Sequence, residues 1–419
     1  MVVARTPLDV AVIGCGTAGA AAALFLARAG HRVSVFERVA QPGPVGAGIL
    51  VQPTGQAVLA RLGLLDEIRA RAAPVDRLLC VRRSGRAVVD LDYGELGSAV
   101  GLGTHRGLLF QVLFDALAAE PGVRLQPGCA VGRVTPPGRG RRALLDGDGV
   151  SLGDFDLVAV AGGADAAGRL TAELGARVAP YPWGALWFVA SDPERAFRGR
   201  LHQVVNGSRR MMGLLPTGLE PGGEVPVVSL FWSVRVDRVA ELRRRGLAGW
   251  REEVLALEPA AAPVVEQIAD LDQLLLARYF DVRMRRWHGE GIAVLGDAAH
   301  ATSPQLGQGA NLALWDAMVL ADSLAGAGPG DLDARLAAFS AARRAHLRYY
   351  QFAARWLTPL FQSDSAPGGW LRDWLLPLAT RFPPTRRLMI ETMAGVRRGF
   401  FRRSLPAASD PALLAPPGA

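Results

Sequence analysis

The sequence predicts an α/β protein whose parallel-sheet lobe is split by an inserted, mainly antiparallel β-sheet and followed by a C-terminal helical region. Three observations predict it. A βαβ unit with a glycine-rich turn occupies residues 8–37, consecutive alternating strands begin after Arg169, and a buried strand, glycine loop and helix return at 291–324.

The first unit is the most regular. Leu8–Ile13 is a short apolar run with β-branched members, the glycines follow at once, an Ala/Leu-rich stretch runs to Ala29, and His31–Phe36 reads as a second strand ending at Glu37. The apolar run Val10–Ala27 has the length of a signal or membrane segment, but Gly14, Gly16 and Gly19 interrupt it, so it reads as strand, turn and helix. Apolar spacing near 3.6 predicts helices over Pro53–Arg71 and Leu108–Ala119. Leu78–Asp92 reads as a hairpin, Val123–Val134 and Ala143–Leu145 as strands, and Phe155–Ala161 as a buried parallel strand.

Strands are then expected at Gly184–Ala190, Leu201–Val205, Met211–Pro216, Pro226–Val236 and Leu274–Asp281, with helices at Val239–Ala256 and Pro263–Leu271. Gly291–Leu295 and Ala310–Leu324 restore strand and helix around the loop 296–309. The implied organisation is a first lobe in two pieces, 1–174 and 286–327, an inserted section 175–285, a helical region 328–405, and a Pro/Ala tail 406–419 expected to be disordered.

Composition removes several classes of function. The 419 residues suffice for two or three packed lobes, and half of them are apolar. The net charge of +8 comes entirely from Arg, because the chain contains no Lys, and the Arg residues are scattered, with short clusters at 243–245 and 402–403. Nucleic-acid binding is not expected. Without Lys there is no Walker A lysine and no Schiff-base lysine. Cys15, Cys80 and Cys129 are odd in number and far apart, which fits neither a disulfide framework nor a zinc site. A reducing, cytoplasmic setting is expected, with no integral membrane segment and no metal.

Gly14-Cys15-Gly16-Thr17-Ala18-Gly19 has the dinucleotide-binding spacing directly after a strand and at the opening of a helix. Gly14 permits the turn, Gly16 lets a pyrophosphate approach the backbone, and Gly19 lets helix and strand pack closely, with the helix N-terminus supplying partial positive charge. Glu37, followed by Arg38, is placed to accept hydrogen bonds from a ribose 2′-hydroxyl, which suits FAD or NAD. A second glycine element runs Gly296-Asp297-Ala298-Ala299-His300, then Pro304 and Gly307-Gln308-Gly309-Ala310-Asn311. Its Asp suits a ribityl chain, and its backbone N–H groups suit the electron-rich edge of a reduced flavin.

On these motifs residues 8 to about 325 resemble the FAD-dependent aromatic hydroxylases of the para-hydroxybenzoate hydroxylase type. The resemblance implies a Rossmann-type FAD-binding domain with an inserted substrate sheet. It also implies FAD as cofactor, NADPH or NADH as reductant, O2 as co-substrate, and hydroxylation of an aromatic or polycyclic molecule through a flavin C4a-hydroperoxide. It places Gly14, Gly16, Thr17, Ala18, Gly19, Glu37, Arg38, Arg106, Val131, Asp297, Pro304, Gly307, Gly309, Ala310 and Asn311 at the cofactor, with a strand at Cys129–Val131 beside the adenine.

Two departures stand out: Gly46 replaces an Arg of the flavin-side segment, and Gly162 stands where relatives carry the Asp of a middle motif that ends here at Arg169. The second keeps open a dehydrogenase or reductase, or a non-redox flavin protein, on the same scaffold. No residue declares itself as a catalytic base; the candidates are His202 and Tyr181. Trp183, Trp187, Phe188, Met211, Met212, Phe231 and Trp232 supply an apolar wall, about half of it facing the ligand by strand alternation. The C-terminal Trp/Phe/Arg segments have the composition of amphipathic helices that lie on a membrane surface, but packing on the first lobe or on a partner subunit is the expectation. A monomer or homodimer with a small aromatic substrate is the expected assembly.

Overall fold

A computed structural model describes residues 6–97 and 100–400; the expected tail 406–419 and the Arg402–Arg403 pair lie outside the described residues. The first strand, Asp9–Ile13, is buried on both faces and pairs in parallel with Arg32–Glu37 on one side and Leu157–Val160 on the other. That is why it reads as an unbroken apolar run rather than an alternating one. Outward from these lie Val123–Pro127, then Ile292–Val294 and the short antiparallel His288–Gly289, giving six strands. The helix Thr17–Arg28 buries Ala18 through Ala27, and its small side chains let it lie close against both the sheet and the helix Gly309–Leu324.

The expected helix over 53–71 is two helices, Pro53–Arg61 and Leu65–Arg71, because Gly63 adopts φ +71° and closes the first one. The expected helix 263–271 is shorter still. Only Ala262–Val265 is helical, after which Gln273 Oε1 accepts from Ala269 N and Asp270 N and turns the chain at Leu271–Gln273. Val239–Leu257 forms as expected but is broken at Gly246, with φ +77°. The strand expected at Cys129–Val131 is absent: Cys129 N donates to Glu37 O and Gly132 N donates to Leu145 O, so this stretch passes between two sheets and ladders in neither.

The second sheet has nine strands, and it is larger than the inserted section. Arg177–Ser191, Gly199–Asn206, Arg210–Leu219, Pro226–Arg235 and Leu275–Arg283 are joined by Gly48–Val51, Ala73–Arg82, Ala87–Asp92 and Gly101–His105 from the first part of the chain. Gly199–Asn206 runs parallel to Ala73–Arg82, and every other pairing is antiparallel. One face is covered by the helix 239–257, with Met212, Leu214, Leu230, Trp232 and Val234 against Trp250 and Val254. The other face carries Met211, Leu215 and Phe231 and meets the C-terminal helices, Leu332–Phe361, Ala366–Arg381 and Pro383–Met393.

Candidate active site

The N-termini of the helices 17–28 and 309–324 converge at the carboxyl ends of the parallel strands. Gly14 has φ +95°, and a Cβ there would lie 2.8 Å from Gly162 Cα; a Cβ on Gly19 would lie 1.9 Å from Gly14 O. Gly16 differs from both, because its φ of −66° is open to any residue and nothing lies within 4 Å of where its Cβ would stand. The free space sits directly over a helix N-terminus whose first turn holds no acidic residue, so an anion fits there. Cys15 N donates to Glu37 Oε2 at 3.0 Å and Val39 N donates to Glu37 Oε1 at 2.9 Å, which fixes the carboxylate at the mouth of the turn. Burial first, then Glu37, pushes the Cys15 thiol up to about 12, so it remains protonated and unreactive.

Asp297 is exposed at the start of a short helix, Asp297–His300, and its Oδ1 is 3.9 Å from the position of a Cβ on Gly309. The preceding Gly296, φ +58°, packs against Ala18, so the two glycine motifs touch. Pro304–Leu306 is a single 3-10 turn, followed by Gly307 at φ +59° with open space around it. Asn311 is not free to bind a ligand with its amide nitrogen. Its Nδ2 donates to Leu50 O at 3.0 Å and Gly307 O at 3.1 Å, while its Oδ1 accepts from Gln52 N at 2.8 Å. It staples the 307 loop to the strand 48–51.

The other predicted residues scatter around this centre. Arg106, exposed, opens the helix Arg106–Ala119, and a Cβ on Gly46, φ +118°, would lie 3.0 Å from Arg106 Cδ, so Arg106 packs against the Gly46 turn. Arg38 faces Asp165 at 3.6 Å on the surface. Val131 is buried, and its carbonyl accepts from Arg169 NH1 at 2.6 Å.

His202 is paired rather than free. Its neighbours Val204 and Leu214 belong to the face under the helix 239–257, where its Nε2 meets Glu258 Oε2 at 2.7 Å, away from the 296–309 loop. Tyr181 by contrast lies beside Ser303, and burial raises its phenol pKa. The apolar wall divides as alternation requires. Met211 and Phe231 face the C-terminal helices, with Trp187 tilted at 43° against Phe231, ring centroids 5.2 Å apart, whereas Phe188, Met212 and Trp232 face the helix 239–257. Tyr279, which hydrogen-bonds Trp187, was not singled out from the sequence; its phenol is pushed up to about 12 by burial.

Chemistry-bearing residues also appear behind the loop. Asp316 accepts from Gly296 N at 2.9 Å, His300 Nε2 at 2.6 Å and Arg343 Nε at 2.6 Å, and Arg343 NH1 reaches His346 Nδ1; all four side chains are buried. Burial opposes the charge on Asp316, yet His300 and Arg343 outweigh it and hold the carboxyl at about 2. Its trace in the sequence is Asp316 within the mostly apolar stretch 310–324, which also carries Asp322. From the other side, Gln305 Nε2 donates to Gln362 Oε1 and Gln362 Nε2 to Ser233 Oγ, both at 2.9 Å, tying loop, C-terminal helix and sheet into one chamber wall. A separate groove of about 330 Å³ is lined by Trp183, Trp232, Ser233, Trp250 and several Arg, beside the helix 239–257.

His31, His105, His288 and His346 all have pKa values lowered, in each case first by burial. The unfolded chain takes up protons at these positions below about pH 6.5 while the folded chain resists, so stability is full above that pH and falls below it. The urea midpoint is expected to drop between pH 7.5 and 5.5; a flat or rising profile would contradict the burial of these rings.

The chain matches the FAD binding domain family over residues 7–132 and 200–350, and it belongs to that family. It is 31% identical over 362 residues to a kynurenine 3-monooxygenase of Salinispora arenicola, covering 80% of this chain and 76% of that one. It is 28% identical to 6-methylpretetramide 4-monooxygenase of Streptomyces rimosus, with 74% and 73% covered. With 3-amino-4-hydroxybenzoate 2-monooxygenase PtnB3 of Streptomyces platensis the identity is 29%, with 89% and 93% covered. Among solved structures, PqsL of Pseudomonas aeruginosa superposes with a TM-score of 0.75 at 22% identity, covering 87% of this chain and 99% of that one. HpxO of Klebsiella pneumoniae, complexed with FAD and uric acid, gives 0.75 at 20% identity, with 93% and 97% covered. The protein is an FAD-dependent monooxygenase of the aromatic-hydroxylase type, and NAD(P)H is the reductant typical of its family. Among the described residues no helix is long and apolar enough to cross a membrane, and no cluster suited to a metal ion occurs.

Proposed function

We propose that the protein inserts one oxygen atom of O2 into an electron-rich aromatic ring held between the Trp187/Phe231/Tyr279 face of the sheet and the loop 303–308. The overall reaction is ArH + O2 + NAD(P)H + H⁺ → ArOH + NAD(P)⁺ + H2O. The observation that carries the reading is the tie from Gln305 through Gln362 to Ser233, which holds a loop with positive-φ Gly307 and open space around it to the sheet that carries the Trp187–Phe231 contact. The relatives are named for kynurenine, 3-amino-4-hydroxybenzoate and 6-methylpretetramide, which supports a ring bearing a hydroxyl or amino donor as the substrate class.

Bound FAD supplies the activation of O2. The chain supplies position and a dry chamber. Gly14, Gly16, Thr17, Ala18 and Gly19 cradle the pyrophosphate. Glu37 takes the adenosine ribose with Arg38 and the Val131 backbone beside it, and Arg106 reaches the phosphates. Asp297 holds the ribityl chain; Pro304, Gly307, Gly309 and Ala310 line the ring, while Asn311 keeps that loop in place. The reducing setting implied by three free cysteines fits the cytoplasm.

Tyr181 is protonated at neutral pH, so beside Ser303 it acts as a hydrogen-bond donor to a substrate oxygen. Tyr181→Phe is expected to lower kcat/KM by about tenfold, whereas His202→Gln leaves it within about threefold and lowers the thermal midpoint. Steady-state kinetics and melting curves on both variants check this pair; the reverse ranking would put the chemistry on the other side of the sheet.

The reading is tested by anaerobic reduction of the holoprotein with NADPH and NADH against a panel of hydroxylated and aminated aromatics. At least one ligand is expected to accelerate flavin bleaching. Failure of both nicotinamides with every ligand would overturn the self-sufficient hydroxylase.

A further inference from the structure

The helix Ala366–Arg381 is amphipathic the wrong way round. Ser365 caps it, its side chain accepting from Gly368 N, and its buried stripe is Gly369, Arg372, Leu376 and Thr380. Arg372 is fully buried and donates to Gly207 O at 2.9 Å and Leu360 O at 3.1 Å. The outward stripe is Trp370, Leu371, Trp374, Leu375 and Leu378, continued by Phe382; the two indoles are 70% and 67% exposed. A soluble helix normally presents these residues to the core. Here they leave on the order of 600 Å² of apolar surface in water, more than the few hundred Å² a monomer ordinarily exposes in one patch.

The charges around this face decide what covers it. Over 362–400 the sequence holds six Arg (372, 381, 386, 387, 397, 398) and three acids (364, 373, 391). Each acid is already bridged: Asp364 by Arg209 and Arg235, Asp373 by Arg82 and Arg372, Glu391 by Arg387 and Arg397. Arg381, on the outward stripe, and Arg398 are exposed with no ion-pair partner among the described residues. The chain carries a net charge of +8. A second copy laid on this face would set like charges together and gain no ion pair. An anionic surface neutralises them while it takes up the apolar side chains, which is the composition of a helix lying in a membrane interface.

We infer that the outward face of helix 366–381 docks the protein on an anionic lipid surface, with Trp370, Leu371, Trp374, Leu375, Leu378 and Phe382 entering the interface and Arg381 pairing with headgroups. No spanning segment is involved. The docking leaves the flavin chamber intact, since the buried stripe of the same helix keeps its hold on the 206–210 hairpin and on the end of the helix 332–361.

The test is flotation of the full-length holoprotein with phosphatidylcholine vesicles, with and without about 30% phosphatidylglycerol, near physiological salt. The protein is expected to float with the anionic vesicles and stay behind with the neutral ones. The Trp370→Ser/Trp374→Ser double variant is expected to lose at least about tenfold in binding, with an unchanged flavin spectrum and unchanged turnover showing that it is folded. Arg381→Gln, which removes no apolar area, is expected to weaken binding by several-fold and to flatten its salt dependence. Flotation equal on neutral and anionic vesicles would overturn the electrostatic half of the inference. No flotation, together with a dimer in sedimentation velocity that the double variant disperses, would assign the face to a second copy and overturn the whole.

Discussion

Replacing Gly16 by Val is expected to abolish FAD retention while leaving the fold in place. The backbone at Gly16 is extended at φ −66°, ψ −173°, within reach of any side chain, and no protein atom lies within 4 Å of the added Cβ. The only thing a side chain there obstructs is the approach of the pyrophosphate to the helix N-terminus. Affinity should fall by on the order of 100-fold, equivalent to about 3 kcal/mol, and the protein should purify colourless, with apoprotein unfolding within about 0.5 kcal/mol of the parent apoprotein. Gly19→Ala is the contrast, because its Cβ would lie 1.9 Å from Gly14 O and must push helix and strand apart. That variant should lose stability and cofactor together. Flavin absorbance after gel filtration and urea unfolding of both apoproteins separate the two; a yellow Gly16→Val protein with normal affinity would place the cofactor elsewhere.

The largest loss of stability is expected from Asp316→Ala. The substitution leaves Arg343 buried without its carboxylate and strips His300 and Gly296 N of their acceptor. Breaking one partner of a buried ion pair typically costs about 3–5 kcal/mol. Because Gly296 and His300 flank Asp297, the same change should loosen the flavin loop. Pairing Asp316→Leu with Arg343→Met removes both charges, and the double variant is expected to recover a large part of the loss, giving a coupling of about 2 kcal/mol or more in a double-mutant cycle. Additive single losses would mean that the two side chains do not form the pair. The carboxyl is held at about 2, below the usual range, so the stability it contributes is present above about pH 4 and is lost only as pH falls toward 2. This window is separate from the histidine effect below pH 6.5.

The cofactor end of the site was legible because its signals are local. Gly14 through Gly19, Glu37 and the run from Gly296 to Asn311 each carry their geometry in a spacing of a few residues next to a strand or helix, and the structure brings the two runs together through Gly296 and Ala18. The substrate sheet was only half legible. Its parallel pairing of Ala73–Arg82 with Gly199–Asn206 joins distant segments, and no local pattern announces such a partner, so 48–105 reads as belonging wholly to the first lobe. For His202 the strand was legible, but its face was not: alternation puts it with Val204 and Leu214 under the helix 239–257, and a shift of one residue would put it on the other face. The internal hydrogen bonds of Asn311 and of 129–132 were not legible, since the partner carbonyls come from other parts of the chain. The buried Asp316–Arg343–His346 cluster spans two helices, and no local spacing links Asp316 to Arg343 and His346.

Gly162 closes the turn against Gly14 rather than offering a carboxylate. The proposed reaction is therefore best measured at its O2 chemistry. The direct measurement is turnover under ¹⁸O2 with NADPH or NADH and the ligand that accelerates flavin reduction, followed by mass spectrometry of the product. One labelled oxygen per product, with O2 and nicotinamide consumed in equal amounts, is the expected result. Nicotinamide oxidation that yields only hydrogen peroxide, with an unlabelled and unchanged aromatic, would contradict a monooxygenase with its substrate in the chamber between the sheet and the 303–308 loop.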